Sequence, residues 1–299
     1  MVAVEGKVVV VTGGRRGLGA ALVDEVLARG AHKVYSTART AFTDARPQVV
    51  ARPLEVRSAE SVAALAEVAR DAELVFNNAG ILLPDALLTG SFERITDTFD
   101  VNVFGPLRVA RAFAPILAAN GGGALVNMHS VLSWLAGSGA YGASKAAAWS
   151  VTNSLRTELA AQHTQVVGVH AGFIDTDMVS AITMPKVTPA EVARRIVDGV
   201  ESGAAEVLAD DVSVGVKAAL SGPVENLSFA LSHWTPVNQG ALNRHAIVDN
   251  SPHPGDLRCR GEARAGVPNH RPLRERRAAA LLRGHRLPRD RAGGLLCRW

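Results

Sequence analysis

The chain predicts an α/β fold in which a doubly wound parallel sheet carries helices on both faces. Three observations predict it. Short apolar β-branched runs alternate with longer helix-periodic stretches over the first 227 residues. The first run, Lys7 to Thr12, holds four consecutive valines and reads as a buried parallel strand. Directly after it stand Thr12-Gly13-Gly14-Arg15-Arg16-Gly17-Leu18-Gly19, then an apolar-periodic stretch from Ala20 to Arg29 that closes at Gly30. Strand, glycine turn and helix in that order form a phosphate site, because glycine lets the backbone approach and the first helical N–H groups point at the anion. The turn lacks Gly-Lys-Ser/Thr, which disfavours a nucleoside-triphosphate P-loop.

The remaining elements follow the same alternation. Strands are expected at Lys33 to Thr37, Val49 to Leu54, Glu73 to Phe76, Ala124 to Met128, Gln165 to His170 and Glu206 to Leu208. Helices are expected at Ser58 to Ala69, Phe92 to Asn120, Gly142 to Gln162, Pro189 to Ser202 and Val212 to Leu220. Gly90 to Glu93 and Thr188 to Glu191 carry helix-start signals, the second with Pro189 at the first helical position. Between the second and third strands, Ala41 to Gln48 leaves no room for a full helix.

Tyr141 and Lys145 stand four residues apart in Tyr141-Gly142-Ala143-Ser144-Lys145, at the start of an Ala-rich helix. That spacing puts both side chains on one face. A fixed ammonium beside a phenol favours phenolate and is expected to lower its pKa, which suits proton exchange with a substrate near neutrality.

Together these residues resemble the classical short-chain dehydrogenase/reductase family. Thr12, Gly13, Gly17 and Gly19 fit its T-G-x-x-x-G-x-G motif, Asn77-Asn78-Ala79-Gly80 fits N-N-A-G, and Tyr141 with Lys145 fits Y-x-x-x-K. Asn102 resembles the helix Asn of its catalytic tetrad and Ser130 the serine. Ala171-Gly172-Phe173-Ile174-Asp175-Thr176 is similar to the segment after the sixth strand, with Ala in place of the usual Pro. The resemblance spans about Lys7 to Leu227 and implies a Rossmann-type domain. Ser130 to Tyr141 is eleven residues, shorter than is common in that family. The shortening is expected in the loop from Ala136 to Gly139, and Ser133 is the alternative serine.

The resemblance assigns roles. A carbonyl becoming an alcohol gains hydride at carbon and a proton at oxygen. Tyr141 would donate the proton, Ser130 would hydrogen-bond the same oxygen, and Lys145 would tune Tyr141 and reach the nicotinamide ribose. Asn102 would fix a water leading from Lys145 toward solvent. Cofactor contacts are expected from Thr12, Gly13, Arg16, Gly17, Leu18, Gly19, Arg39, Glu55, Val56, Asn78, Ala79, Gly80, Tyr141, Lys145, Gly172, Ile174 and Thr176. Glu55 matches a family Asp that hydrogen-bonds adenine. The long helices bearing Asn102 and Tyr141 would pair in a homodimer or homotetramer.

Charge indicates NADP(H). The second strand, Lys33-Val34-Tyr35-Ser36-Thr37-Ala38-Arg39, ends in Arg rather than in the acid that would bind a ribose 2′-hydroxyl. Arg16 is placed to bring a second guanidinium to a 2′-phosphate, and Arg15 reads as a solvated surface residue.

Leu82, Leu83, Val131, Leu132, Trp134, Phe173 and Met178 are expected to line the substrate pocket. No Arg or Lys among them would take a carboxylate or phosphate, which indicates a small neutral, moderately hydrophobic aldehyde, ketone or secondary alcohol. Thr176 to Thr188 would form a short lid. His129 and His170 read as strand-end residues, and no ligand spacing suggests a metal. The competing class is an NADP(H)-binding redox sensor without turnover.

Composition changes at Ser228. From there to Trp299 there is no Lys, and thirteen Arg face five acids. That surplus of eight, against a whole-chain net of +4, leaves residues 1–227 at −4. The domain is therefore expected at 1–227 and a basic tail at 228–299. Three readings of the tail compete: a nucleic-acid arm, disfavoured because its Arg residues are scattered without aromatic interleaving; an accessory domain, for which only Arg274 to Arg283 shows helical periodicity; and an accidental extension read from GC-rich coding sequence, the preferred reading, disordered or badly packed. Cys259 and Cys297 both lie in the tail, so the core reads as a disulfide-free cytoplasmic protein. No leader pattern or membrane-length apolar run is evident.

Overall fold

In the computed structural model, residues 2–83 and 85–228 are described. The strands are β1 (Val8–Val11), β2 (Lys33–Ala38), β3 (Val49–Pro53), β4 (Leu74–Asn77), β5 (Gly123–Met128), β6 (Thr164–His170) and β7 (Glu206–Leu208). They form a parallel sheet in the order β3-β2-β1-β4-β5-β6-β7. The strand order reverses between β1 and β4, and a crevice at the carboxyl ends of these strands is where such sheets bind ligands.

The helices are α1 (Gly17–Ala28), α2 (Ala59–Val68), α3 (Phe92–Phe99), α4 (Gly105–Ala119), α5 (Gly139–Glu158), α6 (Pro189–Glu201) and α7 (Asp211–Ala219). The four valines of β1 divide alternately between two cores, as a two-residue side-chain period requires. Val9 and Val11 pack with Leu22 and Val26 of α1 and Ile196 of α6, whereas Val8 and Val10 pack with Leu65 of α2, Phe113 of α4 and Leu155 of α5. All four are buried, so substituting any one removes apolar area from the sheet's centre.

The expected elements form, with boundaries shifted by up to four residues, and residues 39–48 contain no helix. One element differs. The helix expected from Phe92 to Asn120 is divided by a π-helical turn at Asp100–Phe104. The Gly105 N–H reaches back to the Asp100 carbonyl, and Pro106 has no N–H to continue an α ladder. A side chain at Gly105 would also press on Val56 Cγ2 at 2.9 Å. This wide turn carries Asn102.

Arg29 ties α1 to α6. Its guanidinium contacts Asp198 and Glu201 at 2.6 Å each and Glu25 at 2.8 Å, with 27% of the side chain exposed. Arg29→Met is expected to cost about 1 kcal/mol, a fall of about 2–4 °C in Tm. Calorimetry showing no change would mean these pairs are fully solvated in solution.

Candidate active site

The glycine turn is built for close approach. Gly13 and Gly17 have φ of +68° and +56°, values that favour glycine. A Cβ on Gly19 would stand 2.7 Å from Asn78 Nδ2 and closer still to the Gly13 carbonyl. Thr12 Oγ1 accepts from the Asn78 and Ala79 N–H groups at 2.9 and 3.0 Å, and Asn78 Nδ2 donates to the Thr12 carbonyl at 2.9 Å. Thr12 and Asn78 thus lock the turn to the end of β4. No side chain caps α1, and its first turn holds no acid, so its N–H groups and positive dipole end stand ready for an anion. This cradle fits a dinucleotide pyrophosphate.

Beside it, α5 carries Tyr141 and Lys145, and the end of β5 carries Ser130. Lys145 Nζ lies 5.8 Å from the Tyr141 ring centre and donates to the Met128 carbonyl at 2.9 Å. Asn102 is 1% exposed, and its amide is engaged by the backbone of Ile81, accepting from its N–H at 2.9 Å and donating to its carbonyl at 3.0 Å. It also donates to Ser144 Oγ at 3.1 Å. A Cβ on Gly80 would meet Asn102 Oδ1 at 3.2 Å and Lys145 Nζ at 3.7 Å, so the glycine permits their proximity. The short loop between Ser130 and α5 turns on Gly137 and Gly139, both at positive φ, and its Ala136 N–H donates to the Leu227 carbonyl at 2.7 Å.

The electrostatics differ from the expected lowering of the Tyr141 pKa. Burial pushes the phenol up to about 12, and a hydrogen bond with Ser130 only partly offsets this. Burial also brings Lys145 down to about 8 from its ordinary 10.5. An unfolded chain therefore binds more protons between pH 8 and 10.5, so burying Lys145 costs stability fully below pH 8 and ceases to cost any above 10.5. Lys145→Met is accordingly expected to stabilise the fold by roughly 2 kcal/mol at neutral pH, after allowing for the lost hydrogen bond. The gain should vanish by about pH 11 in urea titrations. A neutral-pH loss of stability would contradict it.

Residues 7–186 match the family model described as short chain dehydrogenase. The chain belongs to the short-chain dehydrogenase family. Its members are oxidoreductases with nicotinamide cofactors and small-molecule substrates. Among relatives, this short-chain dehydrogenase is 36% identical over 194 residues to 1-deoxy-11-beta-hydroxypentalenate dehydrogenase of Streptomyces exfoliatus, covering 59% of this chain and 70% of that one. It is 31% identical over 191 residues to a 3-oxoacyl-acyl-carrier-protein reductase of Vibrio cholerae, covering 60% and 78%. A Burkholderia cenocepacia short-chain dehydrogenase solved with NADP superposes with a TM-score of 0.71 at 36% identity, over 75% of this chain and 96% of that one. A Burkholderia phymatum family member solved with NAD shares the fold at a TM-score of 0.68 and 23% identity, over 79% and 99%.

Arg16 meets Asp177 at 3.3 Å, the two side chains 73% and 83% exposed. Arg15, read as a surface residue, is exposed; it donates to Thr40 at 3.0 Å and lies over the Phe42 ring at 5.9 Å. It lines a cavity of about 440 Å³ with Gly14, Phe42, Asp44 and Arg46, just beyond β2. Arg39 is exposed there. The Glu55 carboxylate is held by the Arg57 backbone N–H and guanidinium, at 3.1 and 3.3 Å. Burial works to raise its pKa, but Arg57 outweighs it and the net shift is downward. Val56 and Leu18 bury their side chains in the two cores, leaving only backbone for a ligand. Ile174 pairs with Val187, and Thr176 sits over Gly17, whose Cβ would meet Thr176 Cγ2 at 3.2 Å.

Val131, Leu132 and Trp134 form a third, buried apolar cluster against which Tyr141 packs, and Trp134 stacks on the buried His170. Leu82, Leu83 and Phe173 are half-buried and Met178 is 49% exposed. Asp210 was not singled out, yet it caps α7 through the Ser213 N–H at 2.7 Å and also accepts from Gly172 N–H. Its sequence signal is an acid immediately before a helix. Among the described residues no helix is long and apolar enough to cross a membrane, and no group of three or more His, Cys, Asp or Glu could hold a metal ion. The tail, with Cys259 and Cys297, lies outside the described residues apart from Ser228.

Proposed function

We propose that residues 1–227 form an NADP(H)-dependent oxidoreductase domain acting on a small neutral, moderately hydrophobic aldehyde or ketone, or on the corresponding secondary alcohol. One observation carries this reading. The Tyr141 phenol is hydrogen-bonded to Ser130 and stands near Lys145 beside the glycine cradle. The bound nicotinamide supplies hydride exchange at the substrate carbon. Tyr141, protonated at neutral pH, donates its proton to the substrate oxygen, and Ser130 hydrogen-bonds that oxygen as charge develops. The Lys145 ammonium stabilises the phenolate left behind. Asn102 holds the Ile81 backbone against α5 and keeps the wall beside Lys145 in place.

The preference for NADP(H) is supported by Arg39 and Arg15 around the end of β2, a strand that itself carries no acid, and by the NADP complex of the 36% identical relative. Replacing both arginines by Ala is expected to weaken NADPH binding more than about tenfold and leave NADH binding within about twofold. An equal loss for both would place the 2′-phosphate elsewhere. We also propose a homodimer or homotetramer through α4 and α5, where Phe104 is 47% exposed before α4. Sedimentation of a monomer would remove that proposal. Cytoplasmic location belongs to the same reading.

A second reading, a binder of NADP(H) without turnover, is favoured by the tie of Lys145 to the Met128 carbonyl. Turnover separates the two. NADPH oxidation with a panel of small aldehydes and ketones is expected for the enzyme, whereas saturable binding with no substrate-dependent oxidation identifies the sensor.

A further inference from the structure

We propose that His170 is a positioning residue for Ser130: its imidazole holds the Ser130 carbonyl so that the serine hydroxyl stays directed at Tyr141. This rests on the catalytic reading of Ser130 given above. His170 closes β6, is fully buried, and places Nδ1 3.1 Å from the Ser130 carbonyl oxygen. A carbonyl only accepts, so a neutral ring making this bond carries its proton on Nδ1. The other nitrogen, Nε2, has no hydrogen-bond partner among the described residues and lies 3.7 Å from Glu206 Oε1. The opposite tautomer would exchange the nearer carbonyl for that distant carboxylate.

The ring is fixed on its faces and edges. Trp134 stacks on it at 3.8 Å and 18°, His129 lies 5.0 Å away, and Trp149 meets it edge-on at 6.2 Å. Lys217 pairs with Glu206 at 2.9 Å and sits over Trp134 at 4.9 Å, closing the cluster from α7. Burial, with Lys217 and Lys145 acting in the same direction, outweighs the Ser130 and Glu206 contacts and brings the His170 pKa down to about 4. The ring is neutral at physiological pH, as the proposed donor requires.

One peptide then sets the serine. The Ser130 carbonyl also accepts from Ser133 N–H at 3.0 Å, and Ser130 Oγ accepts from Leu132 N–H at 3.2 Å. Losing the His170 donor frees the strand end at which the hydroxyl is aimed, and small misplacements of reacting groups are costly.

The test combines one spectroscopic and one kinetic measurement on the full chain. Nitrogen-15 NMR of histidine-labelled protein is expected to show His170 as the neutral Nδ1–H tautomer. His170→Phe keeps the flat ring against Trp134 without the donor, and should lower kcat about tenfold with KM for NADPH within about twofold. His170→Asn, which restores a short donor, should recover much of that loss. In a Ser130→Ala background, His170→Phe should cost less than about twofold, because the residue acts through Ser130. An Nε2–H tautomer, an unchanged kcat in His170→Phe, or an undiminished loss in the Ser130→Ala background would each overturn the proposal. Tyr141→Phe run alongside separates the two levels. Retained turnover there sinks the functional reading, while the tautomer still decides whether His170 holds Ser130.

Discussion

Tyr141→Phe is expected to lower turnover by about 10²–10⁴-fold while leaving NADPH affinity within about twofold. The substitution removes a hydroxyl that is hydrogen-bonded to Ser130 and close to Lys145, and leaves the ring's packing in place. Steady-state rates with parallel binding titrations check it. Turnover retained to within a few fold would remove Tyr141 as the acid. The pH dependence adds a second constraint. Lys145 gives up its charge near pH 8, well before the phenol titrates at about 12. Carbonyl reduction is therefore expected to slow as pH rises through about 8, since the ammonium that stabilises the phenolate is lost while the phenol remains protonated. A profile flat beyond pH 10 would show that Lys145 charge is not used.

Gly19→Ala is expected to abolish measurable NADPH binding and to lower stability by about 1–3 kcal/mol. The added methyl would meet the Gly13 carbonyl and Asn78 Nδ2, and neither can retreat. The Asn78 side chain is already bonded to the Thr12 and Gly13 carbonyls, and Gly14 N–H donates to the Thr37 carbonyl at 2.8 Å. Gly215→Ala is the control. A Cβ there meets nothing within 4 Å, and alanine in a helix should be neutral or stabilising by up to about 1 kcal/mol. Equal effects of the two substitutions in calorimetry and NADPH titration would show that the glycine cradle is not specifically constrained.

The fold was legible because its signals are local. Four valines, a glycine turn and an apolar-periodic helix directly after it declare a parallel strand and an anion cradle without reference to distant residues. The π turn was not legible. It depends on Pro106 breaking the ladder while Val56, far away in the chain, requires glycine at position 105. Tyr141 and Lys145 could be named from spacing, Asn102 and Ser130 through the family resemblance, and the structure brings Ser130 to Tyr141 despite the short loop. Their electrostatics could not be read in the same way, since a helical Tyr-Lys pair says nothing about how deeply each is buried. Side-chain direction was equally illegible. Arg15 donates to Thr40 while its neighbour Arg16 meets Asp177, and Trp134 stacks on His170, a partner from another strand.

A fluorescence titration of the full chain with NADPH and with NADH tests the central claim most directly. Saturable NADPH binding at least about tenfold tighter than NADH is expected from the uncapped α1, the glycine cradle and the arginines at the end of β2. Binding of neither cofactor, or tighter binding of NADH, would contradict it.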